Sequence, residues 1–153
     1  MQEIIKLDEV TAFGGKLSFL IPSKWEEQPE DKQTYLYCLP AANSGWFRVS
    51  LNSVRTQTPA ETLEEIVRET EAARHQKTGN WVWTRERTTE EDGVKIHIYY
   101  WFVANITEPD YVREAIFSYT ILSERSNDAE TKSTLQLIEQ IVGRASFNPN
   151  IYQ

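Results

Sequence analysis

Three kinds of side chain in this chain could take part in chemistry: two histidines, His75 and His97, a single cysteine, Cys38, and the acidic run Glu90-Glu91-Asp92. Nucleophilic catalysis needs a nucleophile close to a base that a third group orients. Neither histidine has a serine, cysteine or second histidine at a motif spacing. His75 reads as a solvated residue or a partner of helix carbonyls, and His97 as an ordinary sheet residue whose alternative role is a ligand contact. Cys38, which follows Tyr35-Leu36-Tyr37, reads as a small buried hydrophobe and not as a reactive thiol. No catalytic residue is assigned.

A metal centre wants three or four Cys, His, Asp or Glu ligands that converge. Two distant histidines and one cysteine do not supply them, and Glu90-Glu91-Asp92 is explained by the turn before Gly93, so no metal and no other cofactor is expected. Gly14-Gly15 leads into a strand and not a helix start, which removes the phosphate cradle. Glu26-Glu27-Gln28-Pro29-Glu30-Asp31 reads as a solvated acidic loop. The aromatic content is the one excess: five Trp, seven Tyr and six Phe. Most of these rings belong to the core. Trp46, Tyr99 and Trp101 fall on a sheet face, or its margin, where helix cover is incomplete. Together with His97 they are the candidate partner- or ligand-binding residues.

The elements that position them follow from spacing. With 153 residues and no linker or repeat, the chain reads as one domain over residues 1–147 with a C-terminal tail at 148–153. The net charge of −7 repels phosphate backbones, so nucleic acid is excluded as a partner. No apolar run reaches the roughly 18 residues of a membrane span. The lone cysteine and the charged start Met1-Gln2-Glu3-Ile4-Ile5-Lys6 lead to the expectation of a cytoplasmic protein.

Strands are expected at Glu3 to Leu7, Lys16 to Ile21, Thr34 to Leu39 and Trp46 to Val54, the last with Phe47, Val49 and Leu51 alternating against Arg48, Ser50 and Asn52. Thr58-Pro59-Ala60-Glu61 has the form of a capping box, and the helix it starts is expected to reach about Lys77 on a stripe of Leu63, Ile66, Val67, Thr70 and Ala73. Asp92-Gly93 between alternating runs marks a hairpin of Trp81 to Glu91 with Val94 to Ala104, with Trp83 opposite Phe102 and Val82 opposite Val103.

A second hairpin into Tyr111 to Leu122, counted from Ala104 opposite Tyr111, places Trp81, Trp83, Ile96, Ile98, Tyr100, Phe102, Ala115, Phe117, Tyr119 and Ile121 on one apolar face. Val82, Trp101, Val103, Val112 and Ile116 fall on the other. A last helix from Asn127 or Asp128 to about Val142 carries Thr131, Leu135, Ile138 and Val142 inward. The fold class is α+β: a largely antiparallel six- to seven-stranded sheet flanked by two amphipathic helices, a three-layer α/β/α sandwich.

Phe19-Leu20-Ile21-Pro22-Ser23-Lys24-Trp25 is a strand stopped by proline and answered by tryptophan. With the helix from Pro59, the Trp81 to Leu122 meander, and the closing helix followed by Ala145-Ser146-Phe147, it resembles the PsbP-like or Mog-like fold over about residues 3 to 147. That group includes photosystem PsbP proteins, a Ran-binding nuclear factor, DcrB-type bacterial proteins and chaperones of Rhs-type effectors. The resemblance implies a non-enzymatic scaffold that binds proteins or, in some branches, membranes, and it carries over no catalytic residue. The leader segment of the PsbP and DcrB branches has no counterpart here, so an effector chaperone is the better match.

The expected function is therefore a non-catalytic cytoplasmic protein-binding domain, a chaperone or adaptor for a secreted effector, with a protein partner and room for a homodimer. A small-molecule binding domain and an immunity protein against a toxin are the alternatives.

Overall fold

Asp92 and Gly93 take positive φ values of 51° and 81°, the left-handed pair that a two-residue type I′ turn requires. The turn joins β7 (Trp81–Glu91) to β8 (Val94–Glu108). The register counted from it holds, with Glu91 facing Val94, Glu90 facing Lys95, Trp83 facing Phe102 and Val82 facing Val103. The structure, a computed structural model, describes residues 5–31, 33–40, 45–70, 73–76, 78–108 and 110–148, with backbone only at 29–31 and 108.

The hairpin belongs to a seven-stranded antiparallel sheet. Its remaining strands are β3 (Glu26–Asp31), β4 (Thr34–Cys38), β5 (Trp46–Arg55), β6 (Arg74–His75) and β9 (Tyr111–Leu122), and the order across it is β3-β4-β5-β9-β8-β7-β6. A separate three-stranded sheet pairs β1 (Leu7–Ala12) and β10 (Ser146–Phe147) on either side of β2 (Leu17–Pro22). The helices are α1 (Pro59–Arg68) and α2 (Ala129–Gly143). This is an α+β sandwich. α2 and the small sheet pack on one face of the large sheet, through Leu17, Phe19, Ile21, Ile138, Ile141 and Val142 against Phe47, Val49, Tyr99, Trp101, Ala115, Phe117 and Tyr119. α1 packs on the opposite face, with Leu63 against Trp83, Ala104 and Val112.

Several expectations are corrected. The first described strand is Leu7–Ala12 and not Glu3 to Leu7, whose first two residues lie outside the described set. The acidic stretch from Glu26 is strand β3, paired with β4 through Glu26–Cys38, Glu27–Tyr37 and Gln28–Leu36. α1 stops at Arg68, well short of Lys77. The Thr70 amide and hydroxyl both donate to the Val67 carbonyl, at 3.1 and 2.8 Å, and this occupies the acceptor that another helical turn would use.

Neither helix start uses its expected side-chain cap. The Thr58 amide donates to Thr56 Oγ1 at 3.1 Å, while the Asp128 carboxylate accepts from Arg125 Nε at 3.0 Å. Of the tail, Asn148 is anchored: its Nδ2 donates to Gly15 O at 2.7 Å and to Ser18 Oγ at 2.9 Å. Residues 149–153 lie outside the described set.

The most consequential correction is the second hairpin. β8 continues past Ala104 to Glu108, with a register shift between Ile106 and Glu108, and Ala104 faces Glu114, not Tyr111. Asn105 secures this extension: its Oδ1 accepts from the Ile106 amide at 2.8 Å, and its Nδ2 donates at 2.9 Å to Asn80 Oδ1. A slip of three residues is odd, so it exchanges the two faces of β9 relative to β8. Ala115, Phe117, Tyr119 and Ile121 thereby join Tyr99, Trp101 and Val103, while Val112 and Ile116 join Ile98, Tyr100 and Phe102. The single apolar layer expected from the sequence is in fact two half-layers on opposite faces.

The α1 face also holds Glu114, across from Asn52 and Ala104. Burial pushes its carboxyl above the usual carboxylate range, and a hydrogen bond from Asn52 opposes the shift without cancelling it. A carboxyl whose folded pKa is raised favours the fold while protonated, and that contribution is lost as pH rises through the folded value. Glu114→Gln is therefore expected to raise the melting temperature at neutral pH, with the gain vanishing below about pH 4. Melts of both chains across that range check it; a gain independent of pH would refute the burial account.

Candidate functional site

α1 is ten residues long, and it roofs only one end of its sheet face. Beyond it run two cross-strand rows on which α1 does not pack, with Leu36, Ile98 and Ser118 buried within them and Trp46 exposed. One runs Cys38, Trp46, Thr120, Ile98, Arg87, and the next runs Leu36, Arg48, Ser118, Tyr100, Arg85. Ile96 and Leu122 face each other in the following row. Gly45, Trp46, Arg48, Glu91, Ile96, Ile98, Thr120, Ile121 and Leu122 line a groove of about 460 Å³. Its rim includes Trp46, which is 44% exposed although its ring is among the largest in the chain. Covering such apolar surface is favourable by about 25 cal/mol per Å².

Gly45 closes one end of the groove. Its φ of +95° is one that L side chains rarely adopt, and a Cβ there would stand 2.5 Å from the Thr120 carbonyl oxygen. The backbone at this point is seated directly against β9, which brings Trp46 over these rows.

Of the four residues expected to form a site, only Trp46 lies on this face. The odd slip in register places His97, Tyr99 and Trp101 on the opposite one. There Trp101 is 3% exposed, and its indole N–H donates to Glu139 Oε1 of α2 at 2.9 Å. Tyr99 is 8% exposed. It stacks on His97 at 4.5 Å and on Tyr119 at 6.3 Å between ring centroids. His97 Nε2 is buried and makes no hydrogen bond; it lies 3.5 Å from Glu86 Oε1. Trp46 is therefore separated by the thickness of the sheet from the other three.

Sequence reading missed Ile96, Ile98, Arg48 and Leu122 as neighbours of Trp46. One signal existed: the alternation of β8 continues through Asn105-Ile106-Thr107, which argues for a longer strand. Cys38 is half-buried beside Trp46. Burial, then the Glu26 charge, pushes its thiol pKa up, which disfavours the reactive thiolate.

A half-roofed antiparallel sheet with a second small sheet behind it defines the architecture, and solved structures of similar fold exist. No protein-family model matches the sequence, and comparison with curated proteins found no significant match. In fold, the chain is similar to a Bacteroides thetaiotaomicron protein, with a TM-score of 0.62 and 16% identity over 93% of this chain and 48% of that one. It thus spans about half the length of that relative. It is also similar to the Saccharomyces cerevisiae Ran-binding protein Mog1p, with a TM-score of 0.55 and 12% identity over 94% and 96% of the two chains. A third likeness is to LpqN, involved in cell envelope biogenesis of Mycobacterium tuberculosis, with a TM-score of 0.56 and 13% identity over 96% and 93%. The resemblance to the Mog-like group is one of fold.

Proposed function

We propose that the chain is a non-catalytic protein-binding domain that holds an apolar segment of a partner protein in the groove beyond α1. One observation carries the reading: α1 packs only at the Trp83, Ala104 and Val112 end of its face, and the exposed Trp46 stands at the other end beside Ile96, Ile98 and Leu122. Aromatic rings at the rim of an open groove with both apolar and polar lining are the usual anchors of protein contacts. Mog1p, of similar fold and similar length, is a Ran-binding protein, and this supports a protein partner. So does the resemblance to effector chaperones, which suggests a chaperone or adaptor for a secreted effector, acting in the cytoplasm. Among the described residues no helix is long and apolar enough to cross a membrane.

The test uses a photo-crosslinking residue in place of Trp46 in native cell extract, and the same residue in place of the exposed Glu9 of β1 as control. A discrete adduct with one polypeptide is expected from position 46 and none from position 9. Trp46→Ala should then weaken binding of the purified partner by roughly tenfold or more. Identical adducts from both positions, or unchanged binding, would sink the reading.

The groove volume of about 460 Å³ also falls in the range of small-molecule sites, roughly 300–1,000 Å³. A metabolite that raises the melting temperature of wild type but not of Trp46→Ala would favour that second reading.

A further inference from the structure

The two edges of the seven-stranded sheet are built differently. At one, β3 carries Pro29 and a register shift between Gln28 and Asp31, and both interrupt the ladder that an added strand would need. At the other, β6 pairs only with Trp81 and Val82. From Thr84 to Glu91, β7 is the terminal strand, and its pairing with β8 shows neither proline nor register shift.

The type I′ turn makes Glu91 and Val94 a hydrogen-bonded closing pair. Odd-numbered residues of β7 therefore bond to β8, and the backbone groups of Thr84, Glu86, Thr88 and Glu90 point outward from the sheet. The Gln76 amide bonds to the Asn80 carbonyl at 2.8 Å on this same side, which agrees with that parity.

We propose that this edge pairs antiparallel with β7 of a second copy of the chain, about a two-fold axis at Thr89. Charge complementarity selects both occupant and register. Centred on Thr89, Arg87 of each copy faces Glu91 of the other, and Thr88 faces Glu90. The one like-charge encounter in this register, Glu86 with Asp92, falls at the turn beyond the last ladder pair. Centred on Thr88, Arg85 would face Glu91, but Glu86 would face Glu90 twice within the ladder, and like charges directly opposite are unfavourable. Arg87 and Glu91 both project to the α1 face, so each pair forms on one side of the joined sheet. The axis is perpendicular to the sheet, so both grooves open on the same side. Because Glu91 lines the groove, Arg87 of the second copy stands at its mouth.

Sedimentation velocity over a rising concentration series tests this directly. Wild type is expected to self-associate reversibly. Thr88→Pro removes one outward N–H and leaves the bonds to β8 intact, so it should stay monomeric with an unchanged far-ultraviolet spectrum. Arg87→Glu should weaken association by roughly tenfold, and Arg87→Glu combined with Glu91→Arg should restore it. A wild type that remains monomeric, a folded Thr88→Pro chain that still dimerises, or an Arg87→Glu chain that associates as wild type does overturns the proposal. If Thr88→Pro does not fold, the charge-swap pair decides.

Discussion

Replacing Phe117 with alanine is expected to lower the stability of the chain by about 3–5 kcal/mol. Phe117 is fully buried, at 0% exposure. Its ring lies 6.0 Å from Phe19 of the small sheet, edge-on at 89°, and 6.0 Å from Phe47 of β5, stacked at 29°. It is therefore one of the contacts, with Tyr37 against Phe19, that join the large sheet to the small one, and truncation empties space on both sides at once. Set against a typical total of about 5–15 kcal/mol, the loss is a large fraction. The melting temperature should fall by roughly 10 °C. Phe117→Leu, which keeps most of the volume, should retain most of the stability. A urea titration that finds less than about 1 kcal/mol lost on truncation to alanine would contradict this packing.

Gly45→Ala should cost roughly 3 kcal/mol, and Gly93→Ala about 1–2 kcal/mol. The two glycines separate two effects. Gly93 has φ +81° and nothing within 4 Å of an added Cβ, so its replacement bears only the left-handed backbone penalty. Gly45 has φ +95° and would also place its Cβ 2.5 Å from the Thr120 carbonyl, 2.8 Å from Ile121 Cγ2 and 2.9 Å from Tyr119 Cε1. The first of these is a backbone atom inside the β5–β9 ladder and cannot swing aside. Relief requires the start of β5 to move away from β9, which carries Trp46 off the groove. Partner binding should therefore fall along with stability at position 45 and remain intact at position 93. Equal losses at the two positions, measured by denaturant titration, would refute the steric account.

Both predictions fall in regions where local pattern and tertiary outcome differ. The β7–β8 register was legible because two residues, Asp92 and Gly93, admit essentially one turn geometry, and the alternation on either side then follows by counting. β5 was legible from its alternation, and α2 from its apolar stripe. The start of α1 was legible from Pro59, although its cap was not. Its end was not legible either, because Thr70 fits the apolar stripe yet uses its hydroxyl to close the last turn.

The candidate site was only partly readable, since it depends on how the faces of several strands add up. Trp46 was recognised as an aromatic at the margin of a face. Counting the second hairpin from Ala104 opposite Tyr111 puts His97, Tyr99 and Trp101 on the same face as Thr120, the partner of Trp46, whereas the extension of β8 to Glu108 puts them on the other. The hydrogen bond from the Trp101 indole to Glu139 and the small sheet, in which Ser146 meets Ser18, join residues far apart in the chain. No local pattern announces them.

Turn chemistry, alternation and helix periodicity were enough to establish an α+β sandwich and the strands of its central hairpin. These are interactions among residues close in the chain, and each depends on backbone preferences that neighbours cannot change. Which aromatic rings are core and which are exposed was settled in three dimensions. A strand has two faces, an odd slip exchanges them, and the choice follows from burying Phe117, Tyr119 and Trp101 beneath α2 and the small sheet. α1 packs at the other end of its face, on Trp83, Ala104 and Val112, and so leaves Trp46 uncovered.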